Sequence, residues 1–446
     1  MSSVPPKVVV LDDDPTGTQT VHGVDVFTDG SVAELVSALS DPAPCCYLLT
    51  NSRSLPSEQA FELTREIAAN LTEASRRTGR PFSAISRSDS TLRGHFPEET
   101  DALSASLGAP CDGTLLIPAF FEGGRITVGD VHYVQEGDRR IPAAETPFAK
   151  DATFGYAHSN LREWIEEKTR GRVSAGEVAS VGLDLLRGPG GAGAARDLLL
   201  GLPQGAYVVV NAAAYSDLEV FVRGLVQAEK AGRHYVCRTA ASFVRVRAGI
   251  EPRTLLTARE ILTEGEPAGG AGGLVVVGSY VEKTTEQLHA ALGLPGIAAV
   301  ELFVDRLADP EGRREEARRV AAAAESALSA GRPALVYTSR GRVSALGRAG
   351  ELSAGRIVSD ALVSVVRSIG VRPRFIVAKG GITSSDLAVR GLNLRRARVL
   401  GQALPGVPVW RAGPESRFPG LSYIVFPGNV GGSAALGDLI VQLSAR

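Results

Sequence analysis

The sequence predicts an α/β protein of two domains, each with a largely parallel sheet flanked by helices. Short apolar runs alternate with amphipathic stretches along almost all of the 446 residues. Continuous apolar strands that alternate with helices are typical of parallel sheets covered on both faces. The length is also too great for one ordinary hydrophobic core. A stretch at 264–273, EGEPAGGAGG, has no periodic apolar face and is typical of a linker.

The elements on either side of this stretch follow from the apolar periodicity. In the first half we expect strands at 8–11, 45–50, 82–85, 114–117, 207–211 and 235–238. Helices are expected there at 57–77 and 217–231. In the second half we expect strands at 274–277, 334–337 and 375–378, and helices at 311–330 and 352–369. The domains are therefore predicted at 1–263 and 274–446, joined by a linker at 264–273.

Composition and charge exclude several functional classes. The chain has 48 Lys and Arg against 49 Asp and Glu, whereas a general nucleic-acid binder usually has a basic excess. No segment has the roughly 20 apolar residues that a membrane helix needs, and residues 1–11 lack the layout of a signal peptide. Four scattered cysteines form no disulfide framework. We expect a cytoplasmic protein with reduced thiols that binds neither nucleic acid nor membrane.

Three consecutive carboxylates, Asp12, Asp13 and Asp14, follow the first expected strand directly. In open α/β sheets the ligand crevice lies beyond the carboxyl ends of the strands. Carboxylates there can hold a metal, accept a substrate hydroxyl or act as a base. Turn and helix-cap chemistry is the simpler alternative, but one Asp would satisfy it. Three like charges together favour a cation or a hydroxyl-rich ligand.

Arginines, hydroxyls and further carboxylates follow the next strands. Residues 87–95, RSDSTLRGH, come after the strand at 82–85, and residues 118–125 come after the strand at 114–117. The planar fork of arginine suits a carboxylate or phosphate, while Asp and Ser suit sugar hydroxyls. Each segment alone is weak, and 87–95 can be interpreted as a salt-bridged loop. Their shared position at strand ends predicts a polar pocket that accepts an anion.

Glycine-rich segments end strands in the second half at 278–279, 379–386 and 427–433. Glycine loops at helix N-termini let backbone N–H groups approach phosphates, although turns and caps alone also use glycine. We expect the helix after 379–383 to open at Ser384 or Ser385. No GxxxxGK[ST] motif is present, so this is no Walker-type NTPase. No GxGxxG turn leads from an expected strand into a helix with an acidic residue about 20 positions on, so the signal for classical dinucleotide binding is weak.

This ordered set of motifs resembles the four-carbon acid sugar kinase family over nearly the whole chain. The substrate-domain motifs of that family, Asp-Asp-x-Thr-Gly, Lys-x-Asp-Ser-Thr-Leu-Arg-Gly, Pro-Ala-Phe and Gly-Arg-x-Thr, are similar to residues 13–17, 87–94, 118–120 and 124–127. Its nucleotide-domain motifs, Gly-Ser, Gly-Gly-x-Thr-Ser and Gly-Asn-x-Gly, are similar to residues 278–279, 380–384 and 428–431.

The resemblance implies transfer of a phosphate from ATP, with Mg²⁺, to the terminal hydroxyl of a small sugar acid of the threonate, erythronate or 3-oxo-tetronate kind. It implies a substrate-binding first domain, a nucleotide-binding second domain, an active site in the cleft between them, and a homodimer. The general base is expected at Asp14 or Asp13, with Asp89 in reserve. Arg53, Arg93 and Arg125 are the expected carboxylate anchors.

The remaining expected site residues divide between substrate and nucleotide. The other substrate-binding residues are Asp12, Thr16, Arg87, Ser90 and Gly124. The nucleotide-binding residues are Ser279, Gly380, Gly381, Thr383, Ser384, Gly428, Asn429 and Gly431. No metal ligand is assigned.

Several positions differ from the family motifs. Asp12 stands where a small residue is usual, Arg87 where the family has Lys, and His95 where it has Asn. The segment 17–20 also differs, and the Lys usual before the last Gly-Asn motif is replaced around Phe426. These differences leave two alternatives open. One is a non-catalytic sugar-acid sensor, and the other is a metal-dependent sugar-acid dehydratase or lyase.

Overall fold

The computed structural model describes residues 5–107, 110–262, 271–340 and 351–445, without the side chains of 351–354. The chain divides into two compact units, Met1–Pro252 and Arg253–Arg446. Each unit is an α/β fold on a largely parallel sheet, which confirms the predicted fold class. Most of the linker expected at 264–273 lies outside the described residues, so the boundary there stays a prediction.

The first unit contains the expected strands and helices together with several shorter elements. Its strands are β1 Lys7–Asp12, β2 Asp25–Phe27, β3 Cys45–Leu49, β4 Phe82–Arg87, β5 Gly113–Ile117, β6 Arg125–Val128, β7 Val131–Glu136, β8 Arg139–Pro142, β9 Ala179–Val181, β10 Ala206–Val210 and β11 Tyr235–Thr239. Its helices are α1 Val32–Ser40, α2 Ser57–Thr78, α3 Glu98–Ser106, α4 Leu161–Lys168, α5 Leu183–Arg187, α6 Gly191–Gly201, α7 Tyr215–Lys230 and α8 Ala241–Arg247.

The main sheet of the first unit is parallel, in the order β2-β3-β1-β4-β11-β5-β10-β9. The chain leaves β1 toward β2 and β3 on one side and later returns to β4 on the other side. Asp12 at the end of β1 is level with Leu49 and with Arg87. The segments that follow β1, β3 and β4 therefore emerge together, at the point where the strand order reverses and α/β sheets usually bind ligands.

Hydrophobic packing fixes these strand ends in place. Leu35 of α1 and Leu71 of α2 join one core cluster with Val9 and Leu48 of the sheet. In another cluster Phe96 packs against Trp164 of α4, with 4.8 Å between ring centroids. A separate antiparallel sheet, β6-β7-β8, follows β5. The polar segments at the strand ends are thus attached to a rigid apolar frame.

The second unit has its own parallel sheet with an antiparallel margin. Its elements are α9 Ala258–Ile261, β12 Leu274–Val277, α10 Glu282–Leu292, β13 Ala298–Leu302, α11 Pro310–Ser329, β14 Ala334–Thr338, α12 Glu351–Ser368, β15 Ile376–Lys379, α13 Gly381–Asp386, β16 Arg396–Leu404, β17 Val407–Ala412, β18 Ser422–Phe426 and α14 Ala435–Ser444. The parallel strands lie in the order β13-β14-β12-β15-β18, and β17 and β16 continue antiparallel. All three glycine segments therefore follow adjacent strands.

The helix expected to open at Ser384 or Ser385 begins earlier, at Gly381. Gly380 adopts φ +116°, which turns the chain directly from β15 into the helix. The hydroxyl of Ser384 does not cap a helix N-terminus, because it donates back to the Ala378 carbonyl at 2.8 Å. Serine content therefore predicted the wrong start, and the glycine pair marks the right one.

All four cysteines are free, and Cys45, Cys46 and Cys237 are buried. Burial raises the pKa of the Cys46 thiol to about 12, so this thiol is neutral at physiological pH. Within the described residues, no helix combines the length and the apolar character needed to cross a membrane.

The close contact between α6 and α7 generates a stability prediction. An added Cβ at Gly224 would lie 2.6 Å from the Ala192 carbonyl oxygen and 2.8 Å from the Ala195 Cβ. We expect overpacking in Gly224→Ala to lower the free energy of unfolding by about 1–3 kcal/mol. This loss should outweigh the roughly 1 kcal/mol by which alanine is favoured over glycine in a helix. Gly355 of α12 is the matched control, since no described heavy atom lies within 4 Å of its added Cβ. Thermal unfolding should show a lower Tm for Gly224→Ala alone; equal melting temperatures would contradict the tight packing.

Candidate active site

The three carboxylates after β1 have different local roles. Asp12 is the last residue of β1 and is 2% exposed. Asp14 caps a short 3-10 turn at Pro15–Thr18, and its Oδ1 accepts from the Thr16 N–H at 2.7 Å. Any Cβ at Gly17 would lie 2.1 Å from Asp12 Oδ2, so only glycine leaves room for that carboxylate. The turn at 14–18 therefore packs closely against the Asp12 carboxylate.

Arg53, from the segment after β3, joins Asp13 to Asp14. Its Nε and Nη2 donate to the two oxygens of Asp13 at 3.1 and 2.6 Å. Its Nη1 donates to Asp14 Oδ2 at 3.1 Å. Ser88, after β4, also donates to Asp13 at 2.6 Å. Three strand ends are thus connected through one guanidinium and one carboxylate.

Asp12 pairs with Arg87 at the end of β4. Arg87 Nη1 lies 2.9 Å from Asp12 Oδ1, and both side chains are 3% exposed. Burial raises the pKa of Asp12 to about 7, although the charge of Arg87 opposes this shift. The same guanidinium reaches the Asp14 carbonyl at 3.3 Å and Thr16 Oγ1 at 3.5 Å. This pair therefore supports the turn that carries Asp14.

Asp89 and Arg93 form a further ion pair, within the segment after β4. Arg93 Nε donates to Asp89 Oδ2 at 2.7 Å, and the Thr91 hydroxyl donates to the same oxygen. The guanidinium lies 5.1 Å from the centre of the Phe148 ring. Burial raises the pKa of Asp89, but the charges of Arg93 and Arg53 and these hydrogen bonds hold it well below its usual range. Asp89 is therefore ionised at neutral pH.

Arg125 has fewer partners than the other arginines of the site. It begins β6, is 7% exposed, and donates through Nη1 to the Gly123 carbonyl. Within the described residues its Nε has no hydrogen-bond partner, and no carboxylate lies within ion-pair distance. Burial lowers its pKa, and the nearby charge of Asp89 opposes that shift. Gly124, at φ +74°, makes the turn that places this arginine.

Two buried groups, Arg238 and His132, were not predicted as site residues and contact β4 and the segment that follows it. Arg238 of β11 donates to Ser86 Oγ at 2.7 Å and pairs with Glu99 of α3. His132 of β7 lies 2.7 Å from the Ser90 carbonyl and 3.0 Å from Thr127 Oγ1. The signal for Arg238 is an arginine within an otherwise apolar strand. The expected substrate residue Ser90 is itself buried, and its carbonyl is held by His132.

In the second unit the three glycine segments meet at Ser279. A Cβ on Gly380 would lie 2.8 Å from Ser279 Cβ, and one on Gly428 would lie 2.9 Å from Ser279 Oγ. A Cβ on Gly278 would lie 2.3 Å from Thr383 Oγ1. The loops therefore approach each other more closely than residues with side chains would allow. Gly428 and Asn429 are partly exposed, and Ser384 is buried.

Two cations beside these loops were not predicted. Arg340 follows β14 and donates through Nη1 to the Ser279 carbonyl, while its Nε and Nη2 have no partner among the described residues. Lys379 is the last residue of β15 and is fully buried. Its Nζ donates to the Pro427 carbonyl at 2.5 Å and lies 4.0 Å from the centre of the Phe426 ring. Positive charge therefore collects where the glycine segments converge.

The donor set does not fit a resident metal ion. No group of three or more His, Cys, Asp or Glu side chains in the described part of the chain is arranged to hold one. The carboxylates of Asp13 and Asp14 both accept hydrogen bonds from Arg53. A divalent cation would therefore have to enter with its own phosphate ligands, as Mg²⁺ commonly does.

Comparisons with known proteins agree with this geometry. Residues 8–247 match the family described as "Sugar-binding N-terminal domain", and residues 274–436 match "Nucleotide-binding C-terminal domain". This chain belongs to the four-carbon acid sugar kinase family.

Two relatives bear names from the same chemistry. The chain is 28% identical over 324 residues to a D-erythronate kinase of Heliobacterium modesticaldum, and the match covers 70% of this chain and 66% of that protein. It is 28% identical over 368 residues to a 3-oxo-tetronate kinase of Pseudomonas fluorescens, over 80% of this chain and 78% of that protein. The chain thus spans just under two thirds of the erythronate kinase. Its relatives are sugar-acid kinases.

Solved structures show the same fold. A protein of Salmonella typhimurium LT2 superposes with a TM-score of 0.70 at 18% identity over 98% of each chain. A Haemophilus influenzae protein superposes with a TM-score of 0.64 at 18% identity, over 98% of this chain and all of the other.

Several of the residues that differ from the family motifs contact one another or a neighbouring strand. Asp12, an extra acid, pairs with Arg87, which replaces the usual lysine. Phe426 stands near the position of a missing lysine, and Lys379 from the neighbouring strand lies over its ring. His95, another of these differences, hydrogen-bonds the Leu55 carbonyl at 2.9 Å. These substitutions are therefore accommodated within the fold.

His132 gives this protein a testable pH dependence of stability. Burial lowers its pKa from 6.5 to about 4, so the folded protein favours the neutral ring. The free energy of unfolding should therefore be highest above pH 6.5, and it should fall by about 3 kcal/mol as the pH falls from 6.5 toward 4. We expect His132→Gln to lower stability at neutral pH and to flatten this decline in urea unfolding. The raised pKa of Asp12 gives the opposite pH dependence of stability, but it is the same in wild type and in His132→Gln and cancels in their difference. If the free energies of unfolding of the two proteins changed in parallel with pH, His132 would be excluded as the cause.

Proposed function

We propose that this protein transfers the γ-phosphate of ATP to the terminal hydroxyl of a four-carbon sugar acid of the threonate, erythronate or 3-oxo-tetronate kind. The observation that carries the proposal is the guanidinium of Arg125, which has no carboxylate within ion-pair distance in the described part of the chain and lies near ionised Asp89. An anionic substrate with hydroxyl groups fits this combination of a cation with an unpartnered donor and several hydrogen-bond acceptors. The names of the two relatives support the same substrate class.

Recognition of the acid falls first to Arg125. Arg53 already holds Asp13 and Asp14, and Arg93 already holds Asp89, whereas Arg125 keeps donors without a carboxylate partner in the described part. Arg93 is 24% exposed and is the second candidate anchor. Arg53 orients the carboxylates, so of the three expected anchors it is the least available to the substrate.

Asp14 is the stronger of the two candidates for the general base. Its side chain is 13% exposed, whereas that of Asp13 is 2% exposed and accepts from both Arg53 and Ser88. Burial raises the pKa of Asp14, but Arg53, Arg87 and the Thr16 hydrogen bonds lower it overall, so the carboxylate is ionised at neutral pH. A positioned carboxylate can accept the proton that the attacking hydroxyl loses.

The glycine segments of the second unit are proposed to bind ATP. The segments around Ser279, Gly380 and Gly428 allow backbone N–H groups to approach phosphate oxygens closely. Thr383 lies against Gly278, and Arg340 supplies a guanidinium with two unpartnered nitrogens in the described part. Mg²⁺ would arrive on the ATP phosphates and neutralise their charge.

A coupled ADP-release screen over four- to six-carbon aldonates and their oxo forms tests the proposed function. We expect ADP release that depends on both ATP and a four-carbon acid, with a phosphorylated acid as the product. Binding of the acid without ADP release would favour the sensor, and loss of water from the acid without ATP would favour the dehydratase. The expected homodimer and cytoplasmic location stay predictions.

Asp14→Asn tests the base directly. The change is nearly isosteric and removes the proton acceptor, so kcat should fall by about 10²-fold or more. The affinity for ATP should change little, since the nucleotide is proposed to bind the second unit. Asp197→Asn on the exposed face of α6 is the control for a lost surface carboxylate. Near wild-type turnover by folded Asp14→Asn would move the base to Asp13, and then to Asp89.

A further inference from the structure

In the loop at 427–432, between β18 and α14, several backbone carbonyl oxygens accept hydrogen bonds from buried side chains. Lys379 Nζ donates to the Pro427 and Gly428 carbonyls at 2.5 and 3.4 Å. Thr284 Oγ1 of α10 donates to the Gly428 carbonyl at 2.9 Å. Gln287 Nε2, one turn further along α10, donates to the Val430 and Gly432 carbonyls at 2.9 and 2.8 Å. Three side chains thus bind four carbonyls of a six-residue loop.

This arrangement separates the two kinds of backbone group in the loop. Four of the six carbonyl oxygens, which would repel an anion, are bound by these buried side chains. Within the described residues, the N–H groups of Gly428, Asn429 and Gly431 make no hydrogen bond to protein atoms. Gly431, at φ +85°, permits the turn that this arrangement requires. Successive free N–H groups in a glycine-rich turn form an anion-binding concavity.

The three supporting side chains are fully buried, so the loop rests on a fixed base. Lys379 has no carboxylate within ion-pair distance in the described part of the chain, and its partners are carbonyl oxygens and the Phe426 ring. Burial, and then the ammonium group of Lys283 on α10, lower the pKa of Lys379 to about 7. A buried ammonium without a counter-ion is costly, so an anion on the loop would stabilise it.

A purely structural explanation is also available, because buried carbonyls require donors. Neutral donors such as Thr284 and Gln287 would satisfy that requirement, and a lysine adds a charge that it does not need. The two explanations predict different measurements. A structural role changes stability alone, whereas a role in anion binding changes the affinity for the nucleotide.

We propose that Lys379, Thr284 and Gln287 are positioning residues for the nucleotide phosphates. They hold the carbonyls of the 427–432 loop inward so that its N–H groups receive a phosphate, and Lys379 adds positive charge beneath it. This inference rests on the proposed function, because it assumes that the second unit binds ATP.

Thr284→Val is the first test, since valine matches threonine in shape and cannot donate to the Gly428 carbonyl. Calorimetry on the full chain with Mg-ADP should show affinity weakened by roughly tenfold, the effect expected for one lost hydrogen bond. The KM for the acid should not change. Thr285→Val, one residue along α10, is the matched control and should bind Mg-ADP like wild type, because the Thr285 hydroxyl donates only within its own helix.

Lys379→Met is the second test and adds a pH readout. In wild type, Mg-ADP affinity should fall as pH rises through the pKa of Lys379, about 7, because the ammonium form binds the anion better. In Lys379→Met this fall should be reduced to the part that comes from ADP itself. Lys230→Met, on the exposed end of α7, is the control for a lost lysine.

The outcomes separate the two proposals. If wild type does not bind Mg-ADP, the proposed function fails and this inference fails with it. If wild type binds and folded Thr284→Val binds equally well, this inference alone is overturned. Should Lys379→Met fail to fold, Thr284→Val decides the question by itself.

Discussion

The bidentate contact of Arg53 with Asp13, extended to Asp14, is the interaction on which the first unit's site depends. Three carboxylates in succession repel one another, and their local arrangement is stable only with cations placed between them. Arg53 comes from beyond β3 and Arg87 from the end of β4, so both neighbours of β1 contribute the compensating charge. The parallel register of these strands is what makes that compensation possible.

Most of the fold follows from the sequence, because apolar runs between amphipathic helices have few other stable arrangements. The strand ends that carry the candidate site follow too, since parallel strands share one carboxyl edge. The pairing of the charged side chains could not be predicted from the sequence. Arg53 and Arg93, which were expected to meet the substrate, also bind carboxylates of the protein, and of the three expected anchors Arg125 has no carboxylate within ion-pair distance in the described part. Sequence patterns place residues at an edge but do not say which oppositely charged neighbour each one meets.

The same limit explains Lys379. The residue belongs to a segment chosen for its glycines, while the loop it supports begins at Pro427, on the neighbouring strand. Only the register of β15 against β18, which sets Lys379 opposite Phe426, connects the two. Likewise the helix start at Gly381 depends on the positive φ of Gly380 and not on the serines that usually mark such starts. Long-range register and backbone conformation, and not composition, decide these details.

The position of β11 has a consequence for synthesis of the chain. This strand, Tyr235–Thr239, inserts between β4 and β5, although β5 ends at Ile117. Until residue 239 has left the ribosome, the facing edges of β4 and β5 have no partner strand. Both strands are largely buried in the finished protein, and unpaired strand edges are prone to associate with other chains. The first unit must therefore remain an incomplete, association-prone sheet for roughly half of its translation, with β11 as the strand that closes it.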